Sequence, residues 1–141
     1  MVILDTNVVS ALMARSPEKS VVNWLDQQPG LSIWITSVTV FEIEVGLQIM
    51  PHGKRRSALV QAFKSLLSEI NQRIVAFDLA AAQHAADLMA ARRRKGSSGE
   101  LRDTMIAGIA LAHNALLATR NTAHFQDLPI RILNPWTKSA T

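Results

Sequence analysis

Three carboxylates lie at positions in the sequence from which they could act together on a phosphate group. Asp5 ends the first apolar segment, Glu42 lies in a helix predicted after the second strand, and Asp103 lies at the start of a later helix. In open α/β sheets, ligands bind beyond the carboxyl ends of the strands, so these side chains can meet at one edge. Carboxylates gathered there repel one another, and a raised pKa or a bound hard cation relieves the repulsion. Because the chain has no cysteine and no paired histidines, the oxygen ligands favour Mg²⁺ or Mn²⁺ over zinc.

Each carboxylate also has a structural explanation that the sequence leaves open. Asp5 could serve only as a helix N-cap, and Glu42 could be a solvated helix residue. Asp103 is harder to explain in this way, because it shares a helical face with mostly apolar residues at i+3, i+4 and i+7. Thr6 and Asn7 are predicted to cap or brace the loop after the first strand.

The elements that must position these residues alternate along the chain. Short apolar and β-branched runs predict strands, and apolar residues at helical spacing predict helices between them. The order β-α-β-α-β-α-β-β predicts a three-layer α/β/α fold with a mostly parallel central sheet of four to five strands. Without an internal repeat or a long linker, residues 1–141 are expected to form a single domain. The predicted strands cover residues 2–4, 32–36, 74–77, 116–118 and 130–133, and the predicted helices cover residues 8–13, 17–27, 37–48, 59–70, 79–95 and 101–114.

The starts of several helices carry residues typical of caps. Ser37 is predicted to cap the helix that contains Glu42, and Asp78 to cap the alanine-rich helix that follows the third strand. We interpret Glu100 as structural, because Ser97-Ser98-Gly99-Glu100 has the pattern of a capping box. The apolar stripe of the first of these helices is predicted to contain Val38, Phe41, Val45 and Leu47. The helix of residues 101–114 is apolar on nearly every side and is therefore predicted to be buried.

The composition limits the classes of partner and compartment. The chain carries 15 Lys and Arg against 11 Asp and Glu, and its formal net charge of +4 suits a polyanion or an acidic protein. The absence of cysteine excludes disulfides, thiolate metal sites and cysteine nucleophiles. The first residues do not have the pattern of a signal peptide, and no apolar run approaches the roughly 20 residues that span a bilayer. We therefore expect a soluble, cytoplasmic protein.

Basic residues cluster near the predicted acidic edge. The run Arg92-Arg93-Arg94-Lys95 is most simply a solvated helix end. With neighbouring arginines, however, it could hold phosphates without regard to base sequence. The candidates for RNA contact are Arg93, Arg94, Lys95, Arg102 and Arg120. No pattern of RNA-stacking aromatic residues is present, and the histidines at positions 52, 84, 113 and 124 show no ligand pairing.

Four short segments, in this order, resemble the motifs of the PIN domain family. They are Leu4-Asp5-Thr6-Asn7, residues 37–42 with Gly46, residues 103–107, and Ala118-Thr119-Arg120-Asn121 with Phe125. Each motif alone is weak, but four in register are specific. With Asn134-Pro135-Trp136 near the end of the chain, the resemblance covers essentially the whole sequence. Within the family, the sequence is most similar to bacterial VapC toxins of the FitB-like branch.

This resemblance implies a Mg²⁺-dependent endoribonuclease, with Mn²⁺ as an alternative ion. Asp5 and Asp103 would bind the metal, and Glu42 and Asn121 would complete the catalytic set. Thr6 would support the first aspartate. Water activated by the metal would attack the scissile phosphodiester in a single in-line displacement with inversion. Toxins of this kind are usually homodimers that are neutralised by a VapB/FitA-like antitoxin with a DNA-binding segment, and no membrane is involved.

The sequence departs from the family pattern at the fourth acidic position. Many relatives carry aspartate at the position of Asn121 or of His124, and neither is a carboxylate here. An amide oxygen can hold a water, but it adds no charge, which favours one metal or one plus an ion recruited with the substrate. Ser97 and Ser98 also stand where relatives often have Arg-Pro.

Two rival functions remain open at this point. A haloacid-dehalogenase-like phosphatase also begins with an apolar strand that ends in aspartate, but it needs a second aspartate where this chain has Asn7. A non-catalytic PIN-like module that only binds a protein or RNA is supported by the missing fourth acid.

Overall fold

The central element of the computed structural model, which describes residues 1–97, 99–137 and the backbone of 139–140, is a six-stranded sheet. Its strands run in the order β3-β2-β1-β4-β5-β6, and the first five are parallel. This confirms the mostly parallel sheet. A sixth strand, antiparallel to β5, was not predicted. The strands are β1 Val2–Leu4, β2 Ile33–Thr36, β3 Ile74–Val75, β4 Leu116–Ala118, β5 Arg131–Asn134 and β6 Ser139–Ala140.

Within the residues that the structure describes, two helices lie in each of the connections from β1 to β2, from β2 to β3 and from β3 to β4, as the sequence pattern predicts, whereas β4 and β5 are joined without an α-helix. Two short 3₁₀ turns, Gly30–Ser32 and Thr122–His124, precede β2 and follow β4. No helix in the described part of the chain is long and apolar enough to cross a membrane. The helices are α1 Thr6–Met13, α2 Lys19–Asp26, α3 Ser37–Ile49, α4 Lys54–Ile70, α5 Leu79–Arg94 and α6 Leu101–Ala112.

Helices pack on both faces of the sheet, which confirms the three-layer architecture. Successive residues of β1 point to opposite faces. Val2 and Leu4 belong to a core formed with α1, α2, α3 and α4, whereas Ile3 belongs to a second core formed with α5 and α6. The predicted burial of α6 is confirmed, because its residues 106–110 are all buried.

Local hydrogen bonds show which residues cap the helices, and they correct one predicted cap. Helix α3 is capped by Thr36, whose hydroxyl accepts the N–H of Thr39 at 3.0 Å, and not by Ser37. The Ser37 hydroxyl instead accepts the N–H of Phe77 at 3.1 Å, beyond the end of β3. The cap at Asp78 is confirmed, since its carboxylate accepts the N–H of Ala81.

The predicted apolar stripe of α3 is wrong in part. Val38 is buried, but Phe41 and Val45 are 59% and 42% exposed. The prediction is confirmed for Leu47, which is buried, and the buried residue Ile43, which was not predicted, lies four residues before it on the same face.

The topology brings the ends of β1 and β4 together at the centre of the sheet. The chain adds β2 and β3 on one side of β1 and then returns to its other side with β4 and β5. Leu4 is in register with Ala118, so Asp5 and Thr119 leave the sheet side by side. A reversal of strand order at this point opens the crevice in which such sheets bind ligands.

Candidate active site

Asp5 lies at this central crevice and is only 2% exposed. Its N–H donates to the carbonyl of Ala118 at 2.9 Å, which continues the pairing between the two central strands. Its Oδ1 accepts the N–H of Thr6 at 2.8 Å, which makes Asp5 the N-cap of α1. The cap explanation is therefore confirmed, but the cap engages only one of the two carboxylate oxygens.

The second oxygen of Asp5 is held by two polar side chains. The Thr119 hydroxyl donates to Oδ2 at 2.7 Å, and Nδ2 of Asn7 donates to the same atom at 3.1 Å. Asn7 also accepts the N–H of Arg120 through Oδ1 at 3.0 Å, so it joins the loops after β1 and β4. This use of Asn7, together with the absence of a second aspartate there, removes the phosphatase alternative.

Thr119, which the sequence placed only within the last family motif and without a role, is a residue of this site. It is fully buried, and its hydroxyl accepts the N–H of Asn121 at 3.0 Å while it donates to Asp5. The signal was present, because Thr119 directly follows β4 just as Asp5 directly follows β1.

Glu42 reaches the same corner of the sheet through Thr6. The Thr6 hydroxyl donates to Oε1 of Glu42 at 2.8 Å and lies 2.9 Å from the hydroxyl of Thr39. Thr6 therefore bonds Asp5 through its backbone and Glu42 through its side chain. The Glu42 side chain is 20% exposed, and its Oε2 lies 3.7 Å from a terminal nitrogen of Arg102. Glu42 is not simply a solvated helix residue.

Asp103 lies in the first turn of α6, and its side chain is 16% exposed. The helix begins there because the Glu100 carboxylate accepts the N–H of Asp103 at 3.0 Å. Glu100 is thus structural, as expected, but it is itself the N-cap and does not belong to a capping box begun by Ser97. Ser98 lies outside the described residues. The Oδ2 of Asp103 lies 2.8 Å from Nδ1 of His124.

Arg92 ties the Asp103 helix to the segment that carries His124. The guanidinium forms two bonds of 2.8 Å with the carboxylate of Asp127, and it also donates to the Thr104 hydroxyl at 3.0 Å and to the carbonyl of His124. Arg92 is 4% exposed, so the prediction of a solvated helix end is wrong for this residue. A Cβ at Gly99 would collide with the guanidinium, which explains glycine at that position.

Burial dominates the electrostatics of Asp5 and Glu42. It raises the pKa of Asp5 to about 6, although hydrogen bonds from Thr119 and Thr6 act in the opposite direction. The negative charges of Asp103 and Glu42 raise the pKa of Asp5 further. Burial also raises the pKa of Glu42, against the hydrogen bond from Thr6 and the positive charge of Arg102. The mutual repulsion expected from the sequence is therefore present at this site.

The donor chemistry of these residues fits a hard divalent cation. All three are carboxylates, and Asp5 combines deep burial with the charges of two neighbours, which a cation would offset. Among the described residues, no three acidic or histidine side chains form one compact metal-binding group. Mg²⁺ is suited to such a site, because it usually keeps several waters and takes one or two protein carboxylates plus substrate phosphate.

The remaining predicted residues surround these carboxylates at the surface. Asn121 is exposed, and its N–H donates a hydrogen bond to the Thr119 hydroxyl. Arg102 is paired with Glu100, with 3.1 Å between Nε and Oε1. The guanidinium of Arg120 lies 5.0 Å from the ring centroid of Trp136. The cationic residues 93–95 are all exposed at the end of α5.

A groove of ≈1150 Å³ opens beside Thr6 and Glu42, between α1, α3 and α4. Its walls are apolar residues of these helices, including Leu12, Ile43 and Leu59. Its cationic lining residues are Arg15, Lys54, Arg55 and Arg102. The groove therefore leads from the acidic corner along a surface that carries positive charge.

Comparison with known proteins identifies the family. The model of the PIN domain matches residues 2–130, which covers the crevice and all three carboxylates. This chain belongs to the PIN domain family. The predicted resemblance is confirmed, and nucleases of this family are generally metal-dependent.

Relatives of known name match this PIN domain chain over nearly its full length. It is 37% identical to VapC ribonuclease Y4jK of Sinorhizobium fredii, across 96% of this chain and 98% of that protein. It is 31% identical to toxin FitB of Neisseria gonorrhoeae, across 96% and 99% of the two chains. The solved structure of FitAB bound to an IR36 DNA fragment has a TM-score of 0.87 at 31% identity, and 96% of each chain is covered.

Proposed function

We propose that this protein is a metal-dependent endoribonuclease, and that it is the toxin of a VapBC-type toxin–antitoxin system. The observation that carries this proposal is the convergence of Asp5, Glu42 and Asp103 at the central crevice, where burial and mutual repulsion raise the pKa of Asp5 to about 6. Its relatives include a protein named as a VapC ribonuclease and one named as a toxin. We take residues 1–141 as one such domain.

Asp5 and Asp103 are the proposed metal ligands, with Mg²⁺ as the ion and Mn²⁺ as its substitute. When bound, the ion offsets negative charge on the phosphodiester and lowers the pKa of water. The chain positions Asp5 in advance, because Thr6, Asn7 and Thr119 bond both of its oxygens. Because the carboxylate is already fixed in the free protein, it would lose less conformational entropy when a cation binds.

Glu42 is the proposed proton acceptor. A general base is most effective when its pKa lies near the working pH, and burial moves the pKa of Glu42 in that direction. Water would attack phosphorus as the P–O bond to the leaving nucleotide breaks, its proton would pass to Glu42, and the leaving oxygen would take a proton from solvent. The hydrogen bond from Thr6 fixes Oε1, so Oε2 is the atom on which the proton would arrive.

The basic residues around the crevice are proposed contacts for the RNA backbone. Arg102 lies directly beside Glu42, Arg120 follows Thr119, and the groove adds Arg15, Lys54 and Arg55. Arg93, Arg94 and Lys95 would extend this surface. Contacts of this kind hold phosphates without reading bases, and they weaken as salt rises. Asn121 is proposed to hold a water or a substrate oxygen at the exposed side of the site.

A homodimer and an antitoxin are the proposed protein partners. Phe41, Val45 and Ile49 form an exposed apolar stripe on α3, with Leu101 of α6 also exposed. Exposed apolar groups of this kind commonly mark interfaces. We propose that a second copy covers this stripe, and that a VapB/FitA-like antitoxin with a DNA-binding segment covers the active site. We propose the cytoplasm as the compartment, because cellular RNA is the proposed substrate. Sedimentation of the purified protein as a monomer at micromolar concentration would contradict the dimer.

Cleavage of total cellular RNA by the purified, partner-free protein tests the activity. We expect cleavage with Mg²⁺ or Mn²⁺, none with chelator, and a loss of about 10³-fold in Asp5→Asn, which exceeds the 10–100-fold typical of residues that only support a ligand. The matched control is Asp87→Asn, an exposed aspartate on α5, which should cleave like wild type. Metal-independent cutting that survives Asp5→Asn would refute the proposal.

The same assay separates the nuclease from a non-catalytic binding module, an alternative that the absence of a carboxylate at positions 121 and 124 favours. Such a module would retain RNA in a mobility-shift experiment without cutting it under any metal condition. In cells, growth arrest by the wild type but not by Asp5→Asn, relieved by co-expression of a small neighbouring DNA-binding protein, would support the toxin.

A further inference from the structure

The contact between His124 and Asp103 is the most specific feature of the site that the proposed function leaves without a role. Nδ1 of His124 lies 2.8 Å from Oδ2 of Asp103. The histidine side chain is 53% exposed, whereas that of the aspartate is 16% exposed. We propose that His124 is a positioning residue, which donates a hydrogen bond from Nδ1 to Asp103 and orients that carboxylate for the cation. This inference rests on the proposed metal-dependent function.

The geometry determines which nitrogen carries the proton. An ionised carboxylate can only accept hydrogen bonds, so Nδ1 must be the donor. The bond between Oδ2 of Asp103 and the imidazole restricts rotation of the carboxylate, so Asp103 would be held in one orientation for a cation. Partners that bond a ligating carboxylate in this way commonly tune metal affinity.

The backbone of His124 is held in place, so the contact is not that of a free surface side chain. Its N–H donates to the carbonyl of Asn121 at 3.0 Å, and its own carbonyl accepts from Arg92. The next residue, Phe125, is fully buried in the core formed with α5 and α6. A short turn is thus anchored on both sides of the imidazole.

Arg92 connects the segment that carries His124 to the helix that carries Asp103. One guanidinium bonds the carbonyl of His124 and the hydroxyl of Thr104, and Thr104 directly follows Asp103 in the chain. The carboxylate of Asp127 neutralises the guanidinium through two bonds of 2.8 Å. The separation between His124 and Asp103 is therefore set by a buried side chain whose three guanidinium nitrogens all form hydrogen bonds. Side chains held in this way are expected to support a precisely positioned site.

The imidazole of His124 also has a different effect from that of a fourth carboxylate. It adds a donor to the ionised form of Asp103 without adding another negative charge to a corner in which Asp5 already has a raised pKa. The site would therefore bind a single divalent cation through Asp5 and Asp103, with Asp103 supported by His124.

The test measures Mn²⁺ binding by electron paramagnetic resonance on the purified, partner-free protein. We expect His124→Ala to weaken Mn²⁺ binding about tenfold, at the lower end of the range for such partners because the side chain is half exposed. His124→Asn keeps a donor near the position of Nδ1 and should bind within about threefold of wild type. His113→Ala, at the far end of α6, is the matched control and should bind like wild type.

Several outcomes would overturn the inference. His124→Ala could bind Mn²⁺ as tightly as wild type or more tightly, as expected if the imidazole competes with the cation. His124→Asn could be as weak as His124→Ala, which would exclude a donor role. A directly coordinated nitrogen in the Mn²⁺ spectrum would make His124 a ligand. Thermal melting of all variants by circular dichroism checks that each is folded.

Asp5→Asn separates this inference from the function on which it rests. If Asp5→Asn loses Mn²⁺ but His124→Ala does not, only the role of His124 is refuted. If the wild type binds no Mn²⁺, or Asp5→Asn binds it as tightly as the wild type does, the metal-dependent function fails and the role of His124 fails with it.

Discussion

Asp5 and Arg92 are both charged side chains buried within the fold, but their surroundings differ. Asp5 is 2% exposed and accepts only from neutral donors, namely a hydroxyl, an amide and a backbone N–H. Arg92 is 4% exposed and faces the carboxylate of Asp127 in a two-bond pair, with further bonds to Thr104 and His124. The first charge is left without an opposite partner, and the second is fully compensated.

We interpret this difference as one between the proposed binding role of Asp5 and a structural role of Arg92. Burial without a counter-charge raises the pKa of Asp5, whereas the hydrogen bond from Arg92 lowers the pKa of Asp127. A carboxylate that lacks a cation within the protein retains its affinity for one from solution, at some cost in stability. The Arg92 guanidinium already has a carboxylate partner and is not expected to bind an ion from solution, but it joins α5, α6 and the turn that carries His124.

The largest effect on stability is expected from Arg92→Ala. Removing one member of a buried ion pair typically costs about 3–5 kcal/mol, and we expect about 3 kcal/mol here because the Asp127 side chain is 47% exposed. The change also leaves the Thr104 hydroxyl and the His124 carbonyl without their partner. The free energy of unfolding from urea titrations, in the presence of chelator, measures the effect.

Arg93→Ala is the matched control for this prediction. Arg93 is the next residue of α5 and is exposed, so its removal should change the free energy of unfolding by no more than about 0.5 kcal/mol. Arg92→Lys keeps the charge but cannot form the two-bond pair, and it should recover little of the loss. Equal stability of the Arg92→Ala and Arg93→Ala proteins would show that the compensated pair contributes nothing.

The sequence predicts most of this fold, because hydrophobic periodicity and strand order are local signals. The three layers, the parallel sheet and the burial of α6 all followed from them. The exposed positions of Phe41 and Val45 did not, since an apolar side chain on a helix carries no mark of which surface covers it. The third strand, predicted over residues 74–77, ends at Val75, and the N–H of Phe77 instead donates to the hydroxyl of Ser37, 40 residues earlier in the chain.

The candidate site was predictable to the extent that its residues follow strands. Asp5 was identified in that way and Glu42 by its place in the helix after a strand, whereas Asp103 was identified by its place on a mostly apolar helical face. Arg92 shares a helical face with the buried residues Ala81, Ala85 and Leu88, a signal that the basic run around it obscured. The family pattern indicated that His124 stands at the fourth acidic position, but not that it contacts Asp103, because that contact depends on a 3₁₀ turn and on a distant guanidinium.

Asp5→Asn should act in the opposite direction to Arg92→Ala, since it removes a charge that the metal-free fold does not compensate. The pKa of Asp5 is about 6 in the folded protein and near 3.8 when unperturbed. Between these values the folded state binds more protons than the unfolded state, so the free energy of unfolding falls as pH rises from about 4 to about 6. Below this window the carboxyl is neutral in both states, and above it the full penalty applies.

The difference between wild type and Asp5→Asn therefore depends on pH in a defined way. A shift of about two units corresponds to roughly 3 kcal/mol, and the amide loses part of this gain because its NH₂ group meets the donor of Asn7. We expect Asp5→Asn to be more stable than wild type by about 1–3 kcal/mol at pH 7 in chelator, and no more stable at pH 4. Saturating Mg²⁺ should stabilise the wild type alone and so narrow the difference at pH 7. Equal stability of the two proteins at pH 7, or a difference that does not change between pH 4 and pH 7, would show that the charge of Asp5 is compensated within the fold, as that of Arg92 is.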